Sequence, residues 1–293
     1  MLITKLIELY CLICHLYDTQ IDVYHQRLSN FKPKFTDQEL LTCYFFAMLN
    51  NQHHKREIYD YIVHHWLDWF PDLPSYQAFS NRLNNLSGSF ASLATHLLQN
   101  KLLSPNDNFS ADSLIDSFPV MLARGKNSKS CRTARDLASF GYCASKDIYY
   151  YGGRLHNLAI RRFKTLPLPT AVFISQASTH DLTAFKQSAP PVLTQNLFAD
   201  KAYADHELQL LLGSKGVNLL TPPKKKKGDL PQFYEPLWSK FVSRFKQPIE
   251  SFFKWLNDKT TYQDASRVRS NKGLLLHCYG KFAFACLLLC FYS

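Results

Sequence analysis

Three acidic residues are placed where they could do chemistry together: Asp116, Asp200 and Glu250. Asp116 interrupts the apolar run at residues 113–120, and Asp200 ends a second apolar run at residues 196–200. A carboxylate in a buried strand is energetically costly unless it is paired or holds a metal ion. An edge strand whose aspartate faces water would explain Asp116 equally well if this run stood alone. Because the pattern recurs, we favour a shared acidic site.

The charges around these acids are unevenly distributed. The 293-residue chain has a formal net charge of +11, which indicates a polyanionic partner such as nucleic acid. Residues 121–165 contain 10 basic and 2 acidic residues, and residues 215–293 contain 14 and 5, whereas residues 106–120 contain 3 acidic residues and no basic one. Acidic strands between basic flanks are what a site needs if it binds Mg²⁺ and contacts a phosphate backbone.

The first 105 residues have the apolar spacing of helices. Thr36 and Glu39 form a capping-box pattern ahead of an apolar helix, and a second helix is predicted from about residue 54 to residue 69. Ser75 is predicted to cap a further, amide-rich helix. Short helices with a tight proline turn suit a helix-turn-helix DNA reader, and they suit a plain helical bundle as well.

From residue 106 onward the pattern becomes that of strands. We predict five strands, at residues 113–120, 147–160, 171–176, 193–200 and 217–220. Helices are expected between the later strands and after the last one, which gives a mixed sheet with helices on its faces. Gly152 and Gly153 mark a bulge or the close approach of another backbone. A basic loop at residues 124–135 is suited to touching phosphates.

Glu250 is expected to lie in the first turn of a helix that begins near Pro248. The proline- and lysine-rich residues 222–227 ahead of it are expected to be a solvated linker, with contact to a DNA backbone as the second interpretation. A final apolar helix from about residue 274 to residue 292 is expected to pack on the sheet. Its longest apolar run, residues 282–292, is too short to span a bilayer, which needs about 20 helical residues.

Cysteines and histidines offer motifs that we discount. The eight cysteines follow no regular framework, so most are expected to be reduced core residues of a cytoplasmic protein. Cys11, Cys14 and His15 match the c-type haem pattern, but core packing is favoured because they lie in an amphipathic helix and no signal peptide is recognised. The histidine pairs at residues 53–54 and 64–65 lack partners at zinc-site spacing and are expected at the surface.

Five segments match, in order, the motifs of a known protein family. They are residues 115–120 (IDSFPV), 149–156 (YYYGGRLH), 178–181 (STHD), 197–205 (LFADKAYAD) and 244–256 (RFKQPIESFFKWL). With them the chain resembles insertion-sequence transposases of the DDE superfamily over most of residues 106–293. The resemblance implies an α-helical N-terminal domain at residues 1–105 that binds DNA ends. An α/β RNase H-like, retroviral-integrase-like catalytic domain at residues 106–293 would follow, with a mixed five-stranded sheet.

In that family two aspartates and one glutamate form the DDE triad, and the resemblance implies that these are Asp116, Asp200 and Glu250. They are separated by 84 and 50 residues, and the second spacing leaves no room for a large inserted domain. Asp112 is a rival for the first position because it lies four residues upstream. Asp116 is preferred since it lies inside the matching motif.

Basic residues near the triad are candidate DNA contacts. Relatives often place an arginine one helical turn before the glutamate and a lysine about two turns after it. The candidates here are Arg154, His156, Arg244, Lys246, Lys254 and Lys259. The spacings leave open which of them contacts DNA, and structural pairing explains Arg154 and His156 equally well. The tyrosines at residues 149–151 are expected to pack rather than to act as nucleophiles.

The resemblance implies a DNA transposase that cleaves at the ends of its own element and joins the released 3′-OH to target DNA. Two Mg²⁺ or Mn²⁺ ions would be the cofactors, because two such ions about 3.5–4 Å apart can serve both ends of an in-line displacement. DNA would be the partner of a homodimer or a larger synaptic complex, without membrane association. Two alternatives stay open: a catalytically inactive descendant kept as a DNA-binding regulator, and a nuclease that does not join strands.

Overall fold

A computed structural model of the chain describes residues 2–19, 33–104, 108–224 and 235–291. The chain divides into two compact units: unit 1 comprises Met1–Leu97, Asp258–Tyr262 and Arg267–Ser293, and unit 2 comprises Leu98–Asn257 and Gln263–Ser266. The predicted boundary at residues 105–106 lies outside the described residues, as do three lysines of the predicted linker, at residues 225–227. The predicted second domain also extends over C-terminal residues that belong to unit 1.

Unit 1 is helical. Its elements are α1 (Leu2–Thr19), α2 (Asp37–Leu49), α3 (Lys55–His65), α4 (Tyr76–Asn85), most of α5 (Ser87–Leu102) and α10 (Asn271–Phe291). The helix predicted to reach residue 69 ends at His65, and a 3₁₀ turn, Leu67–Trp69, follows it. A helical N-terminal region is therefore confirmed.

The two predicted N-caps of unit 1 differ in the structure. The Thr36 hydroxyl accepts a hydrogen bond from the backbone N–H of Glu39 at 3.2 Å, and the Glu39 carboxylate accepts one from the backbone N–H of Thr36 at 2.5 Å. This reciprocal pair confirms the capping box at the start of α2. Ser75 stands at the N-cap position of α4, but its side chain makes no capping hydrogen bond.

The last helix, α10, forms part of the core of unit 1 instead of packing on the sheet as predicted. Its Phe284 ring stacks on Phe45 of α2 with centroids 6.4 Å apart, and its Lys272 donates to Asn85 of α4 at 2.8 Å. Because apolar residues surround this helix on all sides, the sequence alone does not reveal which partner it packs against. Among the described residues, α10 is long and apolar enough to cross a membrane. Its 21 residues exceed the apolar run at residues 282–292 on which the sequence prediction was based. In the structure 67% of its most apolar window is buried.

Unit 2 is built on a mixed sheet of six described strands. The strands are β1 (Phe109–Arg124), β2 (Ser139–Cys143), β3 (Ile148–Arg162), β4 (Leu168–Gln176), β5 (Asn196–Phe198) and β6 (Asn218–Leu220). Their order is β2-β3-β1-β5-β6, with β4 also paired to β3. Strands β1 and β3 are antiparallel, whereas β5 runs parallel to β1 and β6 parallel to β5.

The prediction of a mixed sheet is confirmed, and the prediction of five strands is wrong because β2 was missed. This strand has only five residues and contains Gly141, which weakens the strand signal. A Cβ atom on Gly141 would lie 2.7 Å from the carbonyl oxygen of Ala177, so close backbone packing explains the glycine. The helices of unit 2 are α6 (Lys126–Ser130), α7 (Asp181–Ser188), α8 (His206–Gly213) and most of α9 (Glu235–Thr260).

The two faces of the sheet carry different helices. Successive side chains of a strand point to opposite faces, so Ile115 and Asp116 of β1 face opposite sides. On the Ile115 side, residues of α7 and α8 complete a buried apolar cluster that includes Leu158, Phe185, Leu197, Leu208 and Leu212. On the Asp116 side lies α9, whose aromatic rings stack on those of the strands: Phe253 on Phe118 at 5.1 Å and Phe245 on Phe198 at 4.8 Å.

Candidate active site

The register between β1 and β5 brings two of the three predicted acids together. Leu114 pairs with Phe198, an offset of 84 residues that is the same for every pair between these parallel strands. The spacing between Asp116 and Asp200 is also 84 residues. Each aspartate therefore lies two residues beyond the last pair. Side chains that share this offset at the carboxyl ends of parallel strands lie next to each other.

A lysine from α9 joins the two carboxylates. Nζ of Lys246 lies 2.5 Å from Oδ1 of Asp200 and 3.4 Å from Oδ2 of Asp116. The Lys246 side chain is only 3% exposed, while that of Asp200 is 56% exposed. Lys246 belongs to the buried stripe of α9, together with Val242, Ile249, Phe253 and Leu256. Its ammonium group thus acts as a cation held between two carboxylates.

The Asp116 carboxylate has a mixed environment. Its Oδ1 accepts a hydrogen bond from the backbone N–H of Ser117 at 2.8 Å. Burial is the largest cause that shifts the pKa of Asp116, and together with the nearby Asp200 carboxylate it raises this pKa to about 6 against the opposing effect of Lys246. The cation therefore stabilises the ionised form of a carboxylate that burial disfavours.

The comparison with protein families bears on this acid pair. Residues 112–289 match the model of the family described as transposase DDE domain, which covers more than half of the chain. The chain belongs to this family. The predicted resemblance to DDE transposases is thereby confirmed, and transposases of this family act on DNA and generally use divalent metal ions. Neither the curated proteins nor the solved structures gave a significant match.

Glu250, the third predicted acid of the DDE domain, lies elsewhere in its helix than predicted. Helix α9 begins at Glu235, so Pro248 is inside the helix and Glu250 lies near its middle. A proline in a helix interior costs about 3 kcal/mol, and the burial of Val242 and Lys246 ahead of it stabilises the earlier turns. Glu250 is exposed, one turn after Lys246. Within the described ranges, no three His, Cys, Asp or Glu side chains are close enough together to hold a metal ion.

Asp112, the rival for the first position of the DDE domain's triad, is held by other groups. Its carboxylate accepts hydrogen bonds from the Asn196 side-chain amide at 3.0 Å and from the Ser110 hydroxyl at 3.2 Å. Arg161 lies 3.9 Å from it. These partners are distinct from Lys246, so the geometry favours Asp116 as the partner of Asp200.

Arg154 and His156, two predicted DNA contacts of the DDE domain, instead tie the sheet to the first turn of α7. Arg154 forms an ion pair with Asp181 at 2.9 Å. The His156 ring is completely buried, stacks on Phe173 with centroids 4.7 Å apart, and has its Nε2 2.8 Å from the Ser175 hydroxyl. Burial lowers the pKa of His156 to about 4. Structural pairing, the alternative left open by the sequence, is what these contacts show.

The remaining predicted DNA contacts of the DDE domain divide by exposure. Arg244, Lys254 and Lys259 are exposed on α9, where they can meet a phosphate backbone. Lys246 is buried and bound to the two aspartates. Sequence reasoning misjudged its environment because a lysine in an amphipathic helix usually faces water. The available signal was its place in the buried stripe of α9, seven residues before Phe253.

The acid pair suits a divalent ion in its donor chemistry. Carboxylate oxygens are the ligands that Mg²⁺ and Mn²⁺ prefer, and the pair already holds one cation, the Lys246 ammonium. Asp116 and Asp200 are therefore the residues that would hold the metal ion of a DDE transposase. Glu250 is the exposed carboxylate nearest to them along α9, one turn beyond Lys246.

Proposed function

We propose that this DDE domain protein is a DNA transposase that cleaves at the ends of its element and joins those ends to target DNA, using divalent metal ions. The observation that carries the proposal is the convergence of Asp116 and Asp200 on one cation in a family that acts on DNA. We further propose Glu250 as the third acid of the triad. The strand order, with antiparallel β1, β3 and β4 followed by parallel β5 and β6, supports an RNase H-like fold.

In this proposal each residue has a defined task. Bound divalent ions supply activation of the attacking oxygen and stabilisation of the leaving oxygen in an in-line displacement. Asp116 and Asp200 would hold those ions, and the sheet register keeps the two residues at a fixed spacing. Lys246 offsets the negative charge of the two aspartates until a metal ion binds. Arg244 and Lys254 bind the phosphate backbone beside the acids, and Lys259 is a further phosphate contact on α9.

The rest of the molecule completes the proposal. The helical N-terminal region binds the element ends, and a homodimer or a larger synaptic complex brings two ends together. The cytoplasm is the proposed location, which agrees with the eight free cysteines and with the burial of α10 in unit 1. No part of this proposal requires a membrane.

A second candidate function is a DNA-binding regulator that does not cleave. One observation favours it: the chain itself supplies a cation, the Lys246 ammonium, that lies between the two carboxylates. A regulator of this kind would bind element ends in EDTA as tightly as in Mg²⁺ and would cleave in neither condition.

The deciding experiment is a cleavage and joining assay in Mg²⁺, with DNA from the immediate flanks of the coding region. We expect joined products from the wild type. Asp116→Ala, Asp200→Ala and Glu250→Ala should each abolish cleavage and joining while leaving DNA affinity nearly unchanged. Asp112→Ala is the matched control and should remain active, because its carboxylate is bound by other groups. Cleavage without joining would indicate a nuclease, and binding without cleavage in any divalent metal would indicate the regulator.

A further inference from the structure

Asn157 of β3 lies directly opposite Asp116 in the antiparallel β1–β3 pair. Residues in this relationship project from the same face of the sheet, with Cβ atoms about 4.5–5.5 Å apart. The Asn157 side chain is completely buried, and within the described part of the chain neither its Oδ1 nor its Nδ2 has a hydrogen-bond partner. We propose that Asn157 is a positioning residue for Asp116. When a divalent ion replaces Lys246 between the aspartates, the Asn157 amide donates a hydrogen bond to the Asp116 carboxylate.

Burial of the Asn157 amide without hydrogen-bond partners is energetically unfavourable. A buried polar group without a partner costs about 1–3 kcal/mol, and Asn157 has two such atoms. Native proteins contain few of these groups, and those that persist often belong to functional sites. An apolar side chain of similar volume would be more favourable at this position if it served only the stability of the sheet.

The surroundings of Asn157 restrict which group can form a hydrogen bond with its side chain. Its neighbour on the other side, in β4, is Val172, which has no polar side-chain atom. Asp116 is thus the polar member of this cross-strand row. One oxygen of Asp116 accepts from the Ser117 N–H, and among the residues that the structure describes the other has only the long contact of 3.4 Å to Lys246. A carboxylate has about four acceptor positions, so an unused donor and an unused acceptor face each other.

The unmade hydrogen bond follows from the state of the site. In the structure Nζ of Lys246 contacts both Asp116 and Asp200 from the α9 side. A carboxylate that ligates a metal ion is normally oriented by a second hydrogen bond from the protein. Asn157 is the side chain placed to provide it. This inference rests on the proposed metal-dependent function, which supplies the ion.

The test is Asn157→Leu, studied as the full-length protein. In EDTA its free energy of unfolding should equal or exceed that of the wild type, because the leucine removes two unsatisfied polar atoms. Its Kd for Mg²⁺ and Mn²⁺, measured by titration calorimetry without DNA, should rise about 10- to 100-fold, the usual effect of losing a residue that orients a metal ligand. Greater stability combined with weaker metal binding is an outcome that a purely structural asparagine would not produce.

A control variant sharpens the result. Tyr150→Phe removes a buried polar group from the same strand, seven residues from Asn157, and should leave the Kd for metal unchanged.

The remaining outcomes separate this inference from the proposed function. Equal Kd values for the wild type and Asn157→Leu would overturn the inference alone. Marked destabilisation of Asn157→Leu in EDTA would assign the residue a structural role and overturn the inference as well. Failure of the wild type to bind Mg²⁺ or Mn²⁺ would overturn the proposed function and, with it, the role of Asn157.

Discussion

Lys246 and Asp200 form an ion pair of 2.5 Å between the middle of α9 and the end of β5. The same ammonium group lies 3.4 Å from Asp116, so one buried lysine offsets the mutual repulsion of two carboxylates. A metal ion that takes the place between these acids must displace it. If the proposed metal site exists, the lysine therefore links the stability of the metal-free protein to its affinity for metal.

Lys246→Met tests this link. Methionine keeps most of the packing but removes the charge, so the free energy of unfolding in EDTA should fall by about 1–3 kcal/mol, because a partly buried carboxylate pair loses its cation. The Kd for Mg²⁺ should fall about tenfold, because the ion no longer competes with the ammonium group. Urea unfolding in EDTA and titration calorimetry measure the two effects.

Lys254→Met is the control, because this exposed lysine lies two turns further along α9. It should change neither quantity. Weaker Mg²⁺ binding by Lys246→Met would mean that the lysine assists the ion instead of competing with it.

The exposure of the basic residues predicts which of them contact DNA. Changing Arg244, Lys254 or Lys259 to Gln should weaken DNA binding for all sequences, and each lost phosphate contact should reduce the slope of log K against log salt by about 0.9. Arg154→Gln should leave that slope unchanged and lower the stability of unit 2, because Arg154 is paired with Asp181. Affinity measured at several salt concentrations distinguishes the two groups, and a reduced slope for Arg154→Gln would contradict the assignment.

His156 should make the stability depend on pH in weak acid. Burial lowers its pKa in the folded protein to about 4, against an ordinary value of 6.5. The groups that face it are Arg154 on its own strand, Ser175 on β4 and Asp181 on α7. Between these pH values the unfolded chain binds a proton that the folded chain does not, so stability falls as the pH drops from about 6.5 to 4, by up to about 3 kcal/mol.

Urea unfolding of His156→Gln at pH 7 and pH 5 measures the contribution of His156 to the pH dependence of stability. The variant should lose less stability than the wild type over that interval, while the exposed His64→Gln should behave like the wild type. The half-buried His277, whose pKa is also lowered by burial, adds a change of the same sign in both variants. An unaltered pH dependence in His156→Gln would refute the prediction.

Gly152 lies at a close approach of the β1 and β3 backbones. A Cβ atom there would lie inside van der Waals contact with the Val120 carbonyl oxygen, next to the register shift between Met121 and Ala123. Gly152→Ala should destabilise the protein by on the order of 3 kcal/mol through forced separation of these strands. Thermal unfolding measures the effect.

Gly88→Ala is the matched substitution at an open position. No atom lies within 4 Å of a Cβ there, and Gly88 is in α5. Its helix should gain about 0.5–1 kcal/mol. Similar effects of both substitutions would contradict the role of the close approach.

The sequence predicted the elements whose signal is local. The capping box of Thr36 and Glu39 and the long apolar strands β1 and β3 were identified because their pattern is complete within a few residues. The meeting of Asp116 with Asp200 followed from two similar motifs, and its geometric reason, a register equal to their spacing, appears only in the folded sheet.

What the sequence did not predict depends on long-range packing. The start of α9 was misplaced because Pro248 marks a helix start in most sequences, whereas here earlier buried residues extend the helix. The burial of Lys246 and the side of the sheet that α9 covers are set by contacts with residues more than 40 positions away. The same holds for α10, whose apolar surface has no preferred partner in the sequence.

The division of unit 1 between distant parts of the chain has a consequence for the protein during synthesis. The helices α1 to α4 leave the ribosome long before α10, which packs against α4 and places Phe284 on Phe45. A chain that stops before residue 267 leaves this apolar surface uncovered, as a target for proteases and chaperones. Only chains that already carry the acid pair can therefore complete the helical unit.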